Sequence, residues 1–411
     1  MSPLRYIAAR PSQAHILQHG DAQGGRVESA PPEDLCATYY SHRFIELFKH
    51  RAEELEGLGL SEAVVDGSYG EGGGQILRTA VALSAIIRRP VKVVKIRAGR
   101  PNPGLRPQHV GTIKIIASMC DAEVEGLNVG SSTILFRPKK LVASEMKYDI
   151  GSAGAITLLL QVAVIVAAKA EQKCSFEIIG GTDVKWSPTI DYFNYVFLPA
   201  LKALGIDVKL AVKRRGYYPK GGGLVKVEVE PAESIKPLTL IGQPASPANI
   251  ISVCSQLPSE VAKRQLNSAL NILNQHKIPV ADVRSSVEPA VGAGTSITIY
   301  SVDESRGTYL GADAIGERGK PAEQVGREAA ERFLAEWSAQ AAVDSHLADM
   351  LVLPLSLAEG TSTYITSKLT QHLETNLYVV SRLTNCAYEL NKLSSSAVEV
   401  KITPKMVWRA V

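Results

Sequence analysis

The chain has 411 residues, of which 45% are hydrophobic and 21% charged. That composition supports a large buried core spread over two or three domains and excludes a disordered polypeptide. Its 45 lysines and arginines against 41 acidic residues leave a formal net charge of only +4, which excludes a uniformly basic nucleic-acid coat.

Residues 1–62 stand apart as an N-terminal extension. Its first half is rich in Pro, Gly and Gln and is expected to be partly disordered; Asp34 to Leu55 is expected to form one amphipathic helix. The opening residues, MSPLRYIAARPSQAH, lack the continuous apolar run of a signal peptide. The five cysteines, at positions 36, 120, 174, 254 and 386, form no Cys-x-x-Cys pair. Neither a disulfide framework nor a zinc site is expected, and a reducing, cytoplasmic setting follows.

Val64 and Val65 end a short strand, GSYGEGGGQ (67–75) is a glycine turn, and QILRTAVALSAII (75–87) has the apolar spacing of a helix. The turn therefore precedes a helix N-terminus, a place suited to anions. It is not a P-loop, because no G-x-x-x-x-G-K-S/T occurs, and Gln75 breaks the dinucleotide pattern G-x-G-x-x-G. The strand VKVVKIRAG (91–99), a helix leading into a strand in HVGTIKIIASMCDAEVE (109–125), and the strand STILFRP (132–138) complete a βαβαββ unit.

A second unit repeats this plan: a glycine turn and apolar helix in GSAGAITLLLQVAVIVA (151–167), then CSFEIIGG (174–181), DYFNYVFLPALKALGIDVKL (191–210) and LVKVEVEP (224–231). Gln161 interrupts its apolar helix, which is also shorter than the roughly 20 residues a bilayer span needs and so is expected to lie in the core. Residues 232–338 do not fit the repeat and are expected to form a smaller inserted α/β domain. The third unit follows with LADMLVLPLSLAEG (347–360), TSTYIT (361–366), QHLETNLYVVSRLTNCAYEL (371–390) and SSAVEVKITP (395–404). In it, Gln371-His372 takes the place that Gln108-His109 takes in the first. The expected fold is α/β (α+β): three βαβαββ repeats in a pseudo-threefold arrangement, forming a large domain of residues 63–231 and 339–411.

Charge is unevenly spread. Residues 65–231 carry 23 basic and 14 acidic side chains, whereas residues 1–64 and 232–343 are both net acidic. Arg88, Arg89, Lys92, Lys95, Arg97, Arg100 and Arg106 follow one another with no acidic residue between Ala80 and Met119, and Lys213, Arg214, Arg215 and Lys220 form a second cluster. Both clusters adjoin glycine-rich turns, the second being GYYPKGGG (216–223), where backbone N–H groups can approach a phosphate closely.

From about Val64 to Pro404 the chain resembles the RNA 3′-terminal phosphate cyclases. The matching segments are DGSYGEGGGQILR (66–78), IRAGRPNPGLRPQH (96–109), IGSAGAITLLLQ (150–161), GGTDVKWSP (180–188), RGYYPKGGG (215–223), HLADMLVLPLSLA (346–358) and QHLETN (371–376). The resemblance implies a small domain inserted between the second and third repeats. It also implies ATP-dependent conversion of an RNA 3′-phosphate to a 2′,3′-cyclic phosphodiester, with release of AMP and pyrophosphate.

On the same resemblance, His372 is the nucleophile that becomes adenylylated. Imidazole suits that task, because a pKa of about 6.5 leaves it neutral and nucleophilic near neutral pH. Gln108, Gln161, Pro188 and the stretch His346, Leu347, Ala348, Asp349 and Met350 are expected at the ATP; many family members have Tyr where His346 stands. Glu71 is expected to hold Mg²⁺ or Mn²⁺. Arg78, Arg97, Arg100 and Arg106 are expected to bind triphosphate or RNA phosphate, with the division between the two left open. The implied partners are RNA 3′-phosphate ends and ATP, with no membrane and no stable protein partner. The alternatives are a non-catalytic cyclase-like factor in ribosomal RNA processing, against which His372 argues, and an enolpyruvyl transferase, which shares the repeat type without these motifs.

Overall fold

A computed structural model describes residues 62–142, 145–406 and 408. The N-terminal extension, including the helix expected at Asp34–Leu55, lies outside the described residues. In chain order the first elements are β1 (Ala63–Asp66), α1 (Gly74–Ile87), β2 (Val91–Val94), α2 (Pro107–Met119), β3 (Glu123–Glu125) and β4 (Ile134–Arg137). There follow β5 (Glu145–Asp149), α3 (Ile156–Ala168), β6 (Cys174–Gly180), the helix α4 (Ile190–Tyr192, a π turn at Phe193–Phe197, then Leu198–Ala203), β7 (Val208–Arg214) and β8 (Gly223–Val229). Next come β9 (Thr239–Leu240), β10 (Ala248–Ser255), α5 (Ser259–Gln275), β11 (Val280–Val287), β12 (Gly294–Asp303), β13 (Thr308–Ile315) and α6 (Ala322–Ser338). The chain closes with α7 (Ser345–Leu355), β14 (Ser362–Thr366), α8 (Gln371–Thr384), β15 (Ala387–Ser394) and β16 (Ala397–Thr403).

Three of the four sheets among the described residues share one pattern. Their orders are β1-β2-β4-β3, β5-β6-β8-β7 and β9-β14-β16-β15; in each the first two strands are parallel and the others antiparallel. β6 shows why these segments become strands: its side chains alternate buried and half-buried, the period of a sheet with one face on the core. The fourth sheet, β11-β10-β12-β13, has its own apolar cluster, including Ile250, Leu266, Ile299 and Phe333, with α5 and α6 packed on it. Thr239–Leu240 falls within the stretch 232–338 that the sequence assigned to the insertion. It instead pairs with β14, so the third of these sheets takes its first strand from that stretch.

α3 is buried along nearly its whole length, as a helix apolar on every face must be when it crosses the middle of a protein. No helix among the described residues is long and apolar enough to cross a membrane. α1, α3, α7 and α8 contribute to one continuous core. The loops leaving the carboxyl ends of the parallel strands are 67–73 after β1, 95–106 after β2, 150–155 after β5, 181–189 after β6 and 367–370 after β14. In open α/β sheets that is the end where ligands gather; of the expected site residues, all but the stretch His346–Met350 on α7 lie in these loops or on the helices that follow them.

Candidate active site

The site is built on the glycine turn before α1. Gly70 and Gly72 have φ of 59° and 57°, the left-handed region that disfavours side chains. A β-carbon on Gly73 would lie 2.0 Å from Glu71 Oε1, and one on Gly74 would lie 2.2 Å from His109 Nε2. Glycine at these two positions is what lets the Glu71 carboxylate fold back over the turn and lets His109 pack beneath it. The α1 N-terminus carries no side-chain cap, so its first N–H groups are left for another acceptor.

Across from this turn, Thr370 caps α8: its Oγ1 accepts from Leu373 N at 2.9 Å and donates to Asp349 Oδ1 at 2.5 Å. His372 therefore stands at the second residue of the helix. Its Nδ1 lies 3.2 Å from Glu71 Oε1, and the other carboxylate oxygen lies 3.1 Å from Arg100 Nη2. With Nδ1 on the carboxylate, Nε2 is the ring nitrogen left for chemistry. Partial burial pushes the His372 pKa below the ordinary histidine value, with Arg78, His346 and Arg100 acting in the same direction and Glu71 opposing them. Its side chain keeps 48% of its surface exposed, so a substrate can reach it.

Gln108-His109, its counterpart in the first unit, behaves differently for a reason of register. Measured from the cap, His109 is the third residue of α2 and His372 the second of α8. His109 Nδ1 accepts from Arg106 N at 3.0 Å, the bond a capping residue makes. Burial, and then Arg78, Arg97 and Arg106, push His109 down to about 3. The matching third residue of α8 is Leu373, likewise buried. One shift of register thus turns one histidine into the core and the other onto the surface.

The arginines divide. Arg78 is buried on α1, where Nη2 donates to Gln75 Oε1 at 2.6 Å while Nε has no partner. Burial pushes it down to about 10, with Glu71 opposing. A buried guanidinium with a vacant donor is suited to an anion. Arg100 is held by Glu71. Arg97 spends Nη1 on the carbonyls of Asn102 and Gly104, at 2.6 and 3.2 Å, so it braces its own loop. Arg106 is exposed at the start of α2. In the second basic cluster Arg215 is not a surface cation. It is buried against Asp183, Asp191 and Glu288, at 3.4, 2.8 and 2.7 Å, and joins the second sheet to the fourth.

Of the residues expected at ATP, His346 is exposed and meets Tyr192 edge-on, ring centroids 6.4 Å apart. Tyr192 OH donates to Asp344, whose carboxylate caps α7 by accepting from His346 N and Leu347 N, both at 2.9 Å. Asp349 is buried and pushed up to about 8, by burial first and then by Asp344 and Glu71. Leu347, Ala348 and Met350 are packed in the core behind it, and Gln161 is buried on α3. Gln108 is half-buried on α2. Pro188 precedes the α4 cap Thr189, its carbonyl accepting from Thr157 Oγ1 at 2.8 Å. Sequence reasoning missed Thr370, Tyr192, Asp344 and Asn376. Of these, Thr370 carried a legible signal, a threonine three residues before Leu373 at a helix start. Asn376 ties α8 to both neighbours, accepting from Thr79 Oγ1 at 2.9 Å and donating to Asp349 O at 2.8 Å.

Among the described residues no group of three or more His, Cys, Asp or Glu is placed to hold a metal ion. Glu71 offers a single carboxylate beside donors for phosphate, which fits a Mg²⁺ that takes one or two carboxylates and shares substrate phosphates, but not a metal caged by protein alone.

A family model described as RNA 3′-terminal phosphate cyclase matches residues 69–390. Among similar proteins, the RNA 3′-terminal phosphate cyclase of Methanopyrus kandleri is 42% identical over 348 residues, covering 83% of this chain and 98% of its own. That of Pyrococcus abyssi is 42% identical over 344 residues, 83% of this chain and 99% of its own. That of Thermococcus gammatolerans is 45% identical over 328 residues, 79% and 93%. The matched span contains the glycine turn, the buried Arg78 and the α8 terminus with His372, and on that identity the chain belongs to the RNA 3′-terminal phosphate cyclase family.

Proposed function

We propose that this protein is an ATP-dependent RNA 3′-terminal phosphate cyclase that works through a covalent His372–AMP intermediate. The observation that carries the reading is the half-exposed His372 held by Glu71 Oε1 at 3.2 Å, next to the uncapped α1 terminus and the vacant Nε of Arg78. Relatives at 40–45% identity that bear this activity in their names support it.

His372 Nε2 attacks the α-phosphorus of ATP; the new P–N bond forms as the bond to pyrophosphate breaks. Being neutral, the imidazole needs no separate base. Glu71 balances the charge that the ring acquires on bonding to phosphorus. An oxygen of the RNA 3′-phosphate then attacks the adenylyl phosphorus and His372 leaves. Finally the vicinal 2′-hydroxyl attacks the 3′-phosphorus, loses its proton and displaces AMP, which closes the ring and restricts the substrate to a ribose end. Arg78, Arg100, Arg106 and the α1 N–H groups hold phosphate oxygens through these steps, His346 and Pro188 flank the base, and Gln108, Gln161 and Asp349 line the nucleotide. When bound, Mg²⁺ or Mn²⁺ on Glu71 would neutralise triphosphate charge.

A cytoplasmic setting is supported by Cys120, Cys254 and Cys386, which are free and buried. The direct test is product analysis. With ATP, a 3′-phosphorylated RNA becomes resistant to phosphatase, and the matching DNA end gives no cyclic product. An RNA end that stays phosphatase-sensitive with folded protein would overturn the reading.

A further inference from the structure

Two exposed aromatic side chains stand at the carboxyl end of the second sheet and take no part in the chemistry above. Trp186 is 93% exposed and Tyr218 is 79% exposed. The other described tryptophans are packed, Trp408 in the core and Trp337 against Phe333. Trp186 is also held in the left-handed region, φ 62°, which side chains rarely adopt. Exposure on this scale gives up the burial that normally keeps a tryptophan in a fold.

The two residues belong to neighbouring loops. Asp183 pairs with Tyr217 in a parallel bridge, and Thr182 N and Asp183 N donate to Gly216 O at 2.8 and 3.2 Å. Trp186 lies two residues before Pro188, at the nucleotide side of the site. The loop carrying Tyr218 presses on loop 150–155: a β-carbon on Gly221 would lie 2.7 Å from Ser152 O. That loop in turn lies against Gln108, since a β-carbon on Gly154 would be 3.4 Å from Gln108 Cβ. Gln108 adjoins His109, which packs under the Glu71 turn. A chain of packed contacts thus links the Glu71 turn to the loop that carries Tyr218. Lys213 and Lys220 are exposed beside it, within the segment that carries the chain's basic excess.

We propose that Trp186 and Tyr218 stack on bases of the single-stranded RNA upstream of its reacting end, with Lys220 on the phosphate backbone. Aromatic faces and an unpaired cation at the edge of a catalytic cleft are what a sequence-tolerant single-strand surface requires. This proposal rests on the cyclase reading and adds to it how the rest of the strand is held.

The test compares a 3′-phosphorylated RNA of about ten nucleotides, within the range such surfaces span, with a nucleoside 3′-phosphate. Trp186→Ala and Tyr218→Ala should each raise KM for the long RNA by roughly tenfold without changing kcat, and leave KM for the nucleoside unchanged. Trp186→Phe and Tyr218→Phe should restore most of the loss. The long RNA should also quench tryptophan fluorescence in the wild type, and the quenching should vanish in Trp186→Phe. Enzyme labelling by ATP should be normal in every variant, which separates a lost RNA contact from a damaged fold. Unchanged KM for the long RNA, or an equal rise for both substrates, would overturn the proposal and leave the aromatics to a protein partner or to structure. Wild-type protein that neither labels nor cyclises would overturn the cyclase reading and this proposal with it.

Discussion

In the proposed mechanism His372 is the nucleophile, and two opposed influences act on its ring. Burial and three nearby cations or imidazoles lower its pKa, and the Glu71 carboxylate both raises it and takes up Nδ1. Self-adenylylation should therefore persist below pH 6.5, where an ordinary histidine would be half protonated. Glu71→Gln removes the raising influence, so the acid limb should move to still lower pH while the rate falls by roughly 10- to 100-fold as ring orientation is lost. A limb that moves upward would contradict the assignment. Arg78 invites a test of opposite sign on stability and activity. Its burial with a vacant Nε is a cost to the fold, so Arg78→Met should leave Tm unchanged or raise it. Adenylylation and cyclisation together should fall by about 100-fold or more for want of a phosphate ligand. A large loss of Tm would make Arg78 structural.

At the scale of elements, the site is a junction of helix starts. The α1 turn needs glycine at positions 73 and 74, α2 is capped through His109, and α8 is capped by Thr370, which also holds Asp349 of α7. Asp349 titrates near pH 8 in the folded protein and near 4 when unfolded. Its contribution to stability is therefore complete below pH 4 and is lost as the pH rises to about 8, because the folded state then has to release a proton that the unfolded state has already lost. Tm should decline between about pH 4 and 8, and Asp349→Asn should flatten that decline; an unchanged slope would mean the carboxyl is already ionised. These elements were legible in the sequence to different degrees. Apolar spacing marked α1, a long apolar run marked α3, and β6 and β16 fall in segments that the sequence assigned to strands. β9 was hidden because two residues in a proline-rich stretch carry no period, and only pairing with β14 makes them a strand. The contrast between His109 and His372 was hidden too, since each sits in the same Gln-His dipeptide and the difference is one residue of register from the cap.

For the whole molecule, the modest +4 charge is an average over a basic segment and acidic flanks, and the structure explains how that segment is used. Arg215 is consumed inside by three carboxylates and Arg97 by its own loop, while Arg78 is buried with its Nε unpartnered, Arg100 pairs with Glu71 and Lys220 stays on the surface. Sequence counts could not separate these uses, because burial and partners depend on the tertiary fold. The family motifs were legible because the chemistry concentrates in the short loops at the strand ends. The most direct test of the account is incubation with ATP labelled at the α-phosphate in the presence of a divalent cation, followed by a chase with 3′-phosphorylated RNA. Wild-type protein should become labelled and surrender the label to the RNA-dependent products, and folded His372→Ala should take up none. Label of wild-type intensity in His372→Ala, or none in the wild type, would contradict it.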